Sequence, residues 1–539
     1  MAWCAMIAAL WLCIVSTTIA QLDLQEARQV AQGRQRILGR LLLQLDPASA
    51  LGHSHRRSCS SFRNRLDANS RCVRSKFRRR CHTVVMKALP HVSARPCWDS
   101  MDKQICKQLI PTMINFITLP LTGAIDNIFI GTLANPLANA GQLAADQVFM
   151  TSGVFTEALP AATRPFVAQA HARGNTSEVQ LTSGAAMSVS LATGSLVSLL
   201  LARGSEFWLL ALGSKAALQF SAPYLAYRLP GVIPAIMSAV GFSTLQGVKD
   251  SVTPMKISVA SLALNALLNY LLMFPAGLGI VGAAIATAAS QIVAGIVYAF
   301  ILLRRKLIYW SAVFSLPSRE MLSKFAPAVG ALLLSAIARQ SVFASITKVV
   351  QGLDSTGVAA AAHSITLTFW QLGGILLYAM QNVATTLMAG ELGAKESTPE
   401  SARATAKRLL AWGSLLGFAM AAMQIIGLPF LQVFHPIKDV QIAARVPSII
   451  GAVLQVINGF LFVGEGIMLA SGGVGLLAIG RVIAAVGTIL ALGVVPRTLV
   501  GVWSCFWVYI FGRLSTFVWF WFANSPVQKG QNRQPKPAL

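Results

Sequence analysis

Beyond about residue 105, the chain is a succession of long apolar runs separated by short polar breaks. Six runs lie near 106–131, 140–168, 179–202, 221–246, 255–274 and 279–303, and six more near 324–349, 357–389, 405–431, 445–470, 475–496 and 500–522. Each run is long enough to cross about 30 Å of hydrocarbon as an α-helix. The pattern therefore predicts an all-α integral membrane protein with twelve transmembrane helices.

The polar breaks alternate in charge along the chain. Breaks after odd-numbered runs are mostly uncharged, as in 133–141, 275–279 and 353–357. Breaks after even-numbered runs carry basic residues: Arg173; Lys249 and Lys256; Arg304, Arg305, Lys306, Arg319 and Lys324; Lys395, Arg403, Lys407 and Arg408. Because basic loops stay on the cytoplasmic side, both chain ends are predicted there, or on the stromal side in a plastid.

The two sets of runs resemble one unit that is repeated after about 220 residues. Segment 162–175 ends the second run and 384–396 ends the eighth, while 245–251 is matched by 469–475 and Pro111 by Pro327. Since each unit holds an even number of runs, the halves 105–305 and 306–525 are predicted to be parallel six-helix repeats. That architecture is typical of a transporter with a substrate site between its halves and alternating access. A polar tail, 526–539, follows.

Composition agrees with a membrane protein. Of 539 residues, 55% are hydrophobic and 12% are charged, whereas a soluble protein carries about 25% charged residues. The net charge of +25 is concentrated in residues 51–100, with ten Arg and two Lys, and in the short loops. A soluble enzyme is excluded, and the basic residues indicate membrane orientation, so we expect a lipid bilayer and no nucleic acid as partner.

The region before the first run predicts targeting. Residues 4–15 are apolar but too short to span a bilayer, and small residues follow up to Ala20, which is typical of a signal peptide over 1–20. The basic extension 21–104 includes Arg- and Ser-rich sequence typical of a transit peptide. This order suits a plastid reached through the secretory route, although a basic cytoplasmic tail fits equally well. Its Cys and His residues lack the close pairs of a zinc site, so no metal is predicted.

Three segments resemble signatures of the multidrug and toxic compound extrusion (MATE) family. They are LPLTGAIDNIFIGTLANPLANAGQ (119–142), LQGVKDSVTP (245–254) and GLGIVGAAIATAASQ (277–291), and the likeness covers roughly residues 105–525. Asp126, which precedes an Ile-Gly pair, is similar to the DinF-like branch, and 249–254 resembles its plant-type plastid members. The resemblance implies a secondary active antiporter that exports small organic solutes in exchange for an ion.

Asp126 is the only acidic residue in the first predicted helix. A carboxylate inside a bilayer is costly, so it is by default a functional-site candidate. Removal from water favours its neutral form, which would let it take up and release a proton. The alternative is a carboxylate that only holds the first half together through hydrogen bonds.

The resemblance extends this candidate to an ion-coupling site. Asn265 and Asn269 are four residues apart and share one helix face. The family pattern implies that they join Asp126 and Thr287, with Pro111 bending the first helix. A common pattern has Asp where this chain has Asn269. One carboxylate with two amides and a hydroxyl gives Na⁺ little compensating charge, whereas a single carboxylate is enough to bind a proton. H⁺ is therefore the expected coupling ion, and Na⁺ is the alternative. No other cofactor is expected. Both amides could also serve only in hydrogen bonds between helices.

The second half is rich in arginine. The seventh run holds Arg339 and Gln340 where some family branches have an acid, and Arg164, Arg228, Arg481 and Arg513 also lie within or near runs. Against them we count Asp126, Glu157 and Glu465. Because Arg matches carboxylates bidentately, this excess predicts an organic anion bound at Arg339. Any one of these arginines could instead reach an interface or pair internally.

Other side chains complete the predicted substrate site. Gln340, Trp370 and Gln371 are expected to line the cavity. Glu465 either pairs with Arg481 or binds substrate. Glu157 and Arg164 are seven residues apart on one helix face and are expected to offset each other in part.

Competing classes share part of this pattern. A Na⁺-coupled or cationic multidrug exporter and a lipid-linked oligosaccharide flippase would have the same architecture. An enzyme is not predicted, because the sequence contains no H-E-x-x-H, G-x-S-x-G or P-loop motif. We therefore expect a monomeric transporter that draws its energy from an ion gradient.

Overall fold

The computed structural model describes residues 98–133, 135–211, 217–314, 319–354, 357–430 and 437–524. The predicted signal peptide, nearly all of the basic extension and the polar tail lie outside these residues. Every regular element among the described residues is helical. This confirms the prediction of an all-α fold.

The helices follow the predicted runs closely. They are α1 Ser100–Gly131, α2 Pro136–Ala172, α3 Thr176–Ala211, α4 Leu218–Arg228, α5 Val232–Gly247, α6 Val252–Met273, α7 Gly279–Arg304, α8 Trp310–Phe314, α9 Arg319–Gln351, α10 Val358–Gly393, α11 Pro399–Gly427, α12 Lys438–Ala470, α13 Val474–Leu492 and α14 Leu499–Trp519. Helices α4 and α5 form the fourth predicted span, joined by a 3-10 turn, Leu229–Gly231. The five-residue α8 was not predicted.

Among the described residues, eleven helical segments are long and apolar enough to cross a membrane, with α4 and α5 counted as one. The chain is therefore a multi-pass membrane protein. Helix α2 would be the twelfth span; it has 37 residues but is not among the eleven, and it carries Asp146, Glu157 and Arg164. Helices α2 and α10 end about 220 residues apart, as do α5 and α12, which is the separation the repeat predicts. The boundary between the halves near residue 305 stays a prediction.

The short breaks carry the signals that start the helices. The Asn135 side chain accepts a hydrogen bond from the Leu137 amide at 3.0 Å, directly before Pro136 opens α2. Thr398 and Ser401 form a capping box at the start of α11. Both satisfy amides that have no partner in the first helical turn.

Proline has different consequences in two helices of the first half. Pro230 lies in the turn that divides α4 from α5, where a residue without an N–H is tolerated. Helix α1 instead runs continuously for 32 residues through Pro111 and Pro120. The bend at Pro111 therefore stays a prediction.

Helix α12 is held very closely by its neighbours in the second half. A Cβ at Gly466 would lie 2.7 Å from the Gln381 carbonyl oxygen of α10, and one at Gly459 would clash with the Gly413 carbonyl oxygen of α11. Only glycine permits this approach, as is common between membrane helices. The contacts fix the helix that carries Glu465.

The two halves meet mainly where α2 packs against α9 and α10 and where α1 packs against α10. A further contact ties the start of α1 to α11. Buried Arg408 pairs with Asp99 and with Asp102, whose Oδ1 lies 3.2 Å from Arg408 Nε. Trp412 Nε1 donates to the same Asp102 oxygen at 2.7 Å. The first helix is therefore anchored to both halves.

Candidate functional site

Asp126 lies at the centre of the predicted ion-coupling site. Its Oδ1 accepts a hydrogen bond from Asn269 Nδ2 at 2.7 Å, and its Oδ2 accepts one from Thr287 Oγ1 at 3.1 Å. Asn265 Oδ1 accepts from Asn269 Nδ2 at 3.2 Å, and Asn265 Nδ2 donates to Thr287 Oγ1 at 3.1 Å. All four side chains are buried. Because α1, α6 and α7 pack together, and because the two amides share one face of α6, these residues meet.

Among the described residues, the groups that donate hydrogen bonds to Asp126 are uncharged. Two donors can hold the ionised carboxylate, one on each oxygen. Asn269 Oδ1 is buried and has no hydrogen-bond partner among the described residues. A protonated Asp126 could donate to this oxygen after the amide turns. The site can therefore accommodate both protonation states with small rotations of side chains.

A second polar cluster lies beside this site, on α2 and α4. Arg228 forms an ion pair with Asp146, whose Oδ1 lies 3.5 Å from the Tyr224 hydroxyl. Arg228 also interacts electrostatically with Asp126. The sequence prediction counted three intramembrane acids and missed Asp146, although it falls inside the predicted span 140–168. Its charge balances Arg228, so this arginine already has an acidic partner.

Glu465 on α12 is clamped by two arginines. Arg513 Nε and Nη2 donate to its two oxygens, both at 2.8 Å. Arg481 Nη2 donates at 2.6 Å and Arg481 Nε at 3.3 Å, while its Nη1 donates to Ser335 Oγ at 3.1 Å. Of the two alternatives for Glu465, the structure shows pairing, and both carboxylate oxygens are occupied.

Arg339 also has an acidic partner. Its Nη1 and Nη2 donate to the two carboxylate oxygens of Glu157 at 2.6 and 2.5 Å. The hydrogen-bonded partner of Glu157 is thus Arg339, and a partial offset between Glu157 and Arg164 stays a prediction. Spacing along one helix could not show that a helix of the other half presents a guanidinium to Glu157. Arg339 remains a predicted substrate residue, but one that would have to leave Glu157 to bind an anion.

The remaining predicted substrate residues lie elsewhere. Trp370 is buried among aromatic rings, with its ring centroid 4.8 Å from that of Phe506. Gln340 and Gln371 are exposed. None of these three residues lines the cavity described next. Their role in binding stays a prediction.

A small cavity lies between the halves. Its walls come from α2, α9, α10, α12 and α13, and consist of Glu157, Ala158, Ala161, Leu332, Tyr378, Gln381, Asn382, Leu469 and Arg481. Behind Asn382, the Arg164 Nη1 donates to the Asn382 side-chain oxygen. The sequence prediction missed the polar wall formed by Tyr378, Gln381 and Asn382. These three polar side chains interrupt the apolar run 357–389, and that interruption is the feature of the sequence that could have indicated them.

A family model described as MatE matches residues 111–271 and 331–495, which is more than half of the chain. The chain belongs to the MatE family. The two matched segments are similar in length and fall one in each half, as the repeat predicts. The first contains Asp126, Asn265 and Asn269, and the second contains Glu465 of this MatE-family protein.

Among curated proteins, Protein DETOXIFICATION 44, chloroplastic, of Arabidopsis thaliana is 26% identical over 352 residues, which cover 62% of this chain. The chain spans 66% of that relative's own length. A solved MOP superfamily transporter of Pyrococcus furiosus, described as having reverse polarity of its binding pocket that suggests a different function, matches with a TM-score of 0.72 and 19% identity over 80% of this chain and 97% of its own. The Vibrio cholerae MATE transporter VcmN in the bent form matches with a TM-score of 0.69 and 19% identity over 78% and 95%. These structures show the MATE fold.

Proposed function

We propose that this MatE-family protein is a secondary antiporter that exports small organic anions in exchange for protons. The observation that carries the proposal is the setting of Asp126. It is 3% exposed and its direct contacts are neutral donors. By contrast, Asp102, Asp146, Glu157 and Glu465 each contact an arginine. Among these acids, Asp126 can therefore take up a proton without leaving an arginine unpaired inside the protein.

The proton step acts through the contacts of α1. Protonation of Asp126 removes the negative charge that Asn269 and Thr287 hydrogen-bond, so these bonds must rearrange. Helix α1 packs against α6 of its own half and against α10 of the other half. A shift of α1 therefore changes the contact between the halves. Proton binding thereby biases one arrangement of the halves over the other, which is what coupling requires.

A proton fits this site better than Na⁺. An amide N–H and a hydroxyl point at the two oxygens of Asp126. A bound Na⁺ would need those oxygens, together with further oxygens turned inward, as hard cations do. Asn269 stands where a second carboxylate would complete such a shell. We therefore assign the coupling to H⁺.

The charges around the cavity favour an anionic substrate. Arg481 lines the cavity, Arg164 and Arg339 contact the lining residues Asn382 and Glu157, and Arg513 shares Glu465 with Arg481. These four guanidinium groups are accompanied by two paired acids, Glu157 and Glu465. The excess positive charge would repel a cationic drug and attract an organic anion. The Pyrococcus furiosus transporter is described as having a binding pocket of reverse polarity. That description supports the view that proteins of this fold differ in the charge of their pockets.

The plastid envelope is the membrane that we propose. The Arabidopsis thaliana relative is named as chloroplastic, and the basic extension 21–104 has the composition of a transit peptide. A fluorescent fusion to the full chain should enter the plastid envelope. A fusion that loses residues 1–97 should fail to do so. If both fusions reach the plasma membrane, the location is wrong.

Transport in proteoliposomes with an imposed pH gradient tests the function. Labelled citrate, 4-hydroxybenzoate and a cationic dye would be compared in wild type and Asp126→Asn. We expect the pH gradient to drive both anions in wild type and not in Asp126→Asn. Transport of the dye alone would refute the anionic substrate. Transport driven by a Na⁺ gradient but not by a pH gradient would refute the coupling ion.

A further inference from the structure

Arg164 on α2 is a buried guanidinium beside the cavity between the halves. Arg164 is 2% exposed, and its Nη1 donates a hydrogen bond to the side-chain oxygen of Asn382. The guanidinium carbon lies 5.9 Å from the centroid of the Phe242 ring. Among the described residues, no carboxylate pairs with Arg164, and its Nε has no hydrogen-bond partner. Its positive charge is therefore not neutralised by the part of the chain that the structure describes.

Five other arginines, four of them buried and one half-buried, are arranged differently. Each contacts a carboxylate: Arg228 with Asp146, Arg339 with Glu157, Arg408 with Asp99 and Asp102, and Arg481 and Arg513 with Glu465. A buried charge is tolerated in a protein when it is paired and hydrogen-bonded. Arg164 is buried without such a carboxylate partner, and it lies next to a cavity. A bound anion could supply the negative charge that Arg164 lacks.

The cavity wall next to Arg164 offers further unused hydrogen-bonding groups. Asn382 Nδ2 and Gln381 Oε1 are buried and have no partner among the described residues. Asn382 lines the cavity and touches Arg164 directly. Glu157 also lines the cavity, but its charge is matched by Arg339. The unmatched donors, Arg164 Nε and Asn382 Nδ2, are suited to the oxygens of a carboxylate.

We propose that the carboxylate of the exported anion binds to Arg164 and Asn382. This site rests on the proposed function and names where the charged group of the substrate is held. Helix α2 belongs to the first half and α10 to the second, so the bound carboxylate bridges the halves. Because the cavity is small in this arrangement, the substrate can enter only when the halves separate. Binding then links substrate occupancy to the relative position of the halves.

Thermal unfolding of the purified full-length protein tests this site without transport. The probes are citrate, 4-hydroxybenzoate and the neutral methyl ester of 4-hydroxybenzoate. In wild type, both anions should raise the unfolding temperature with a saturable dependence on concentration, and the ester should not. In Arg164→Gln, the affinity for both anions should fall roughly ten- to hundredfold, as expected for a lost charge-assisted contact. Arg164→Lys should retain part of the affinity.

The unliganded variants separate a binding role from a structural one. If Arg164 awaits an anion, Arg164→Gln removes a buried charge without a counterion and should unfold no lower than wild type. Should Arg164 merely join α2 to α10, Arg164→Gln would unfold lower and bind the anions as wild type does, which overturns the proposal. Arg203→Gln, at an exposed arginine of α3, is the matched control and should behave as wild type.

Asn382→Ala gives an independent arm should Arg164→Gln fold poorly. It keeps the guanidinium and removes one donor, so it should weaken anion binding less than Arg164→Gln does. Unchanged anion affinity in both Arg164→Lys and Asn382→Ala would overturn the site. If wild type exports the anions in proteoliposomes while Arg164→Gln binds them normally, the site is wrong and the proposed function stands. If wild type neither binds nor transports the anions, both fail.

Discussion

Asp126 in the first half and Glu465 in the second are equally buried carboxylates that are held in opposite ways. They are 3% and 2% exposed. Asp126 accepts hydrogen bonds from one amide and one hydroxyl, while Glu465 accepts four from two guanidinium groups. Burial alone therefore does not decide what a carboxylate in a membrane protein does. The charge of its partners does.

The difference assigns separate roles to the two halves. Neutralising Glu465 would leave Arg481 and Arg513 without a counterion inside the protein, so its charge is fixed by its surroundings. Neutralising Asp126 leaves an amide and a hydroxyl to find other acceptors, while Arg228 keeps its ion pair with Asp146. Under the proposed function, the first half carries the carboxylate that gains and loses a proton. In the second half, Glu465 is held by two arginines, of which Arg481 lines the cavity. The two halves therefore differ in the partners of the carboxylate that each one buries.

The largest effect on stability is expected at Glu465. Glu465→Gln leaves two buried guanidinium groups unpaired, and breaking such a pair costs about 3–5 kcal/mol. The unfolding temperature of the purified protein in detergent should fall accordingly. An unfolding temperature equal to that of wild type would show that Glu465 is not the support described here.

An intermediate effect is expected at the pair between the halves. Arg339 and Glu157 have side chains that are each 29% exposed, so solvent screens their charges in part. Arg339→Gln or Glu157→Gln alone should cost about 1–2 kcal/mol. The double variant should recover part of that loss, because neither partner is left unpaired. Additive losses in a double-mutant cycle of unfolding temperatures would contradict the pairing.

A much smaller effect on stability is expected at Asp126. Asp126→Asn removes a buried charge whose direct partners are neutral, and an amide can keep part of the hydrogen bonding. The free energy of unfolding should change by less than about 1 kcal/mol. Measured beside Glu465→Gln under identical conditions, the two variants should differ clearly. Equal destabilisation would remove the distinction between the two carboxylates.

A pH-dependent effect is expected at Asp250, a carboxylate outside the spans. Its oxygens accept from the Val252 and Thr253 amides, the Thr253 hydroxyl and Arg305. Burial alone would raise its pKa, but the hydrogen bonds from Thr253 and Arg305 outweigh burial and lower the pKa overall. A lowered folded-state pKa stabilises the protein above the unfolded value of about 4 and loses that contribution as pH falls through the folded pKa.

Asp250→Asn should therefore unfold at a lower temperature than wild type at pH 7, with the gap closing in acid. Thermal unfolding of both proteins between pH 3 and pH 7 checks this. A gap that widens below pH 4 would have the wrong sign for the contacts seen here. Of the four effects, this one is expected to be the smallest.

The fold was largely predictable because the bilayer imposes simple rules on sequence. The long apolar runs predicted most helix ends to within a few residues. The basic loops predicted the orientation, and the repeat near 220 residues predicted the division into halves. The division of the fourth span at Leu229–Gly231 and the short α8 were not predicted. Both depend on local backbone geometry that does not alter an apolar run.

The site was only half predictable, and the reason is physical. Asp126, Asn265, Asn269 and Thr287 come together as the sequence and its family resemblance implied. The ion pair of Glu157 with Arg339 joins two helices from different halves, so no spacing along one helix could show it. The excess of arginine was visible, but which arginine lacks a counterion emerges only from contacts between helices. Among the buried arginines of the described residues, Arg164 is the one without a carboxylate partner, whereas Arg339 pairs with Glu157.

The role of Asp126 in proton coupling is tested most directly by comparing two transport modes in one set of proteoliposomes. One mode is accumulation of labelled citrate driven by a pH gradient, and the other is exchange of labelled for unlabelled citrate at equal pH. Exchange needs substrate binding and movement of the halves but no net proton transfer. We predict that Asp126→Asn loses accumulation and keeps exchange at a rate comparable to wild type. Accumulation at the wild-type level in Asp126→Asn would contradict the assignment of the coupling site.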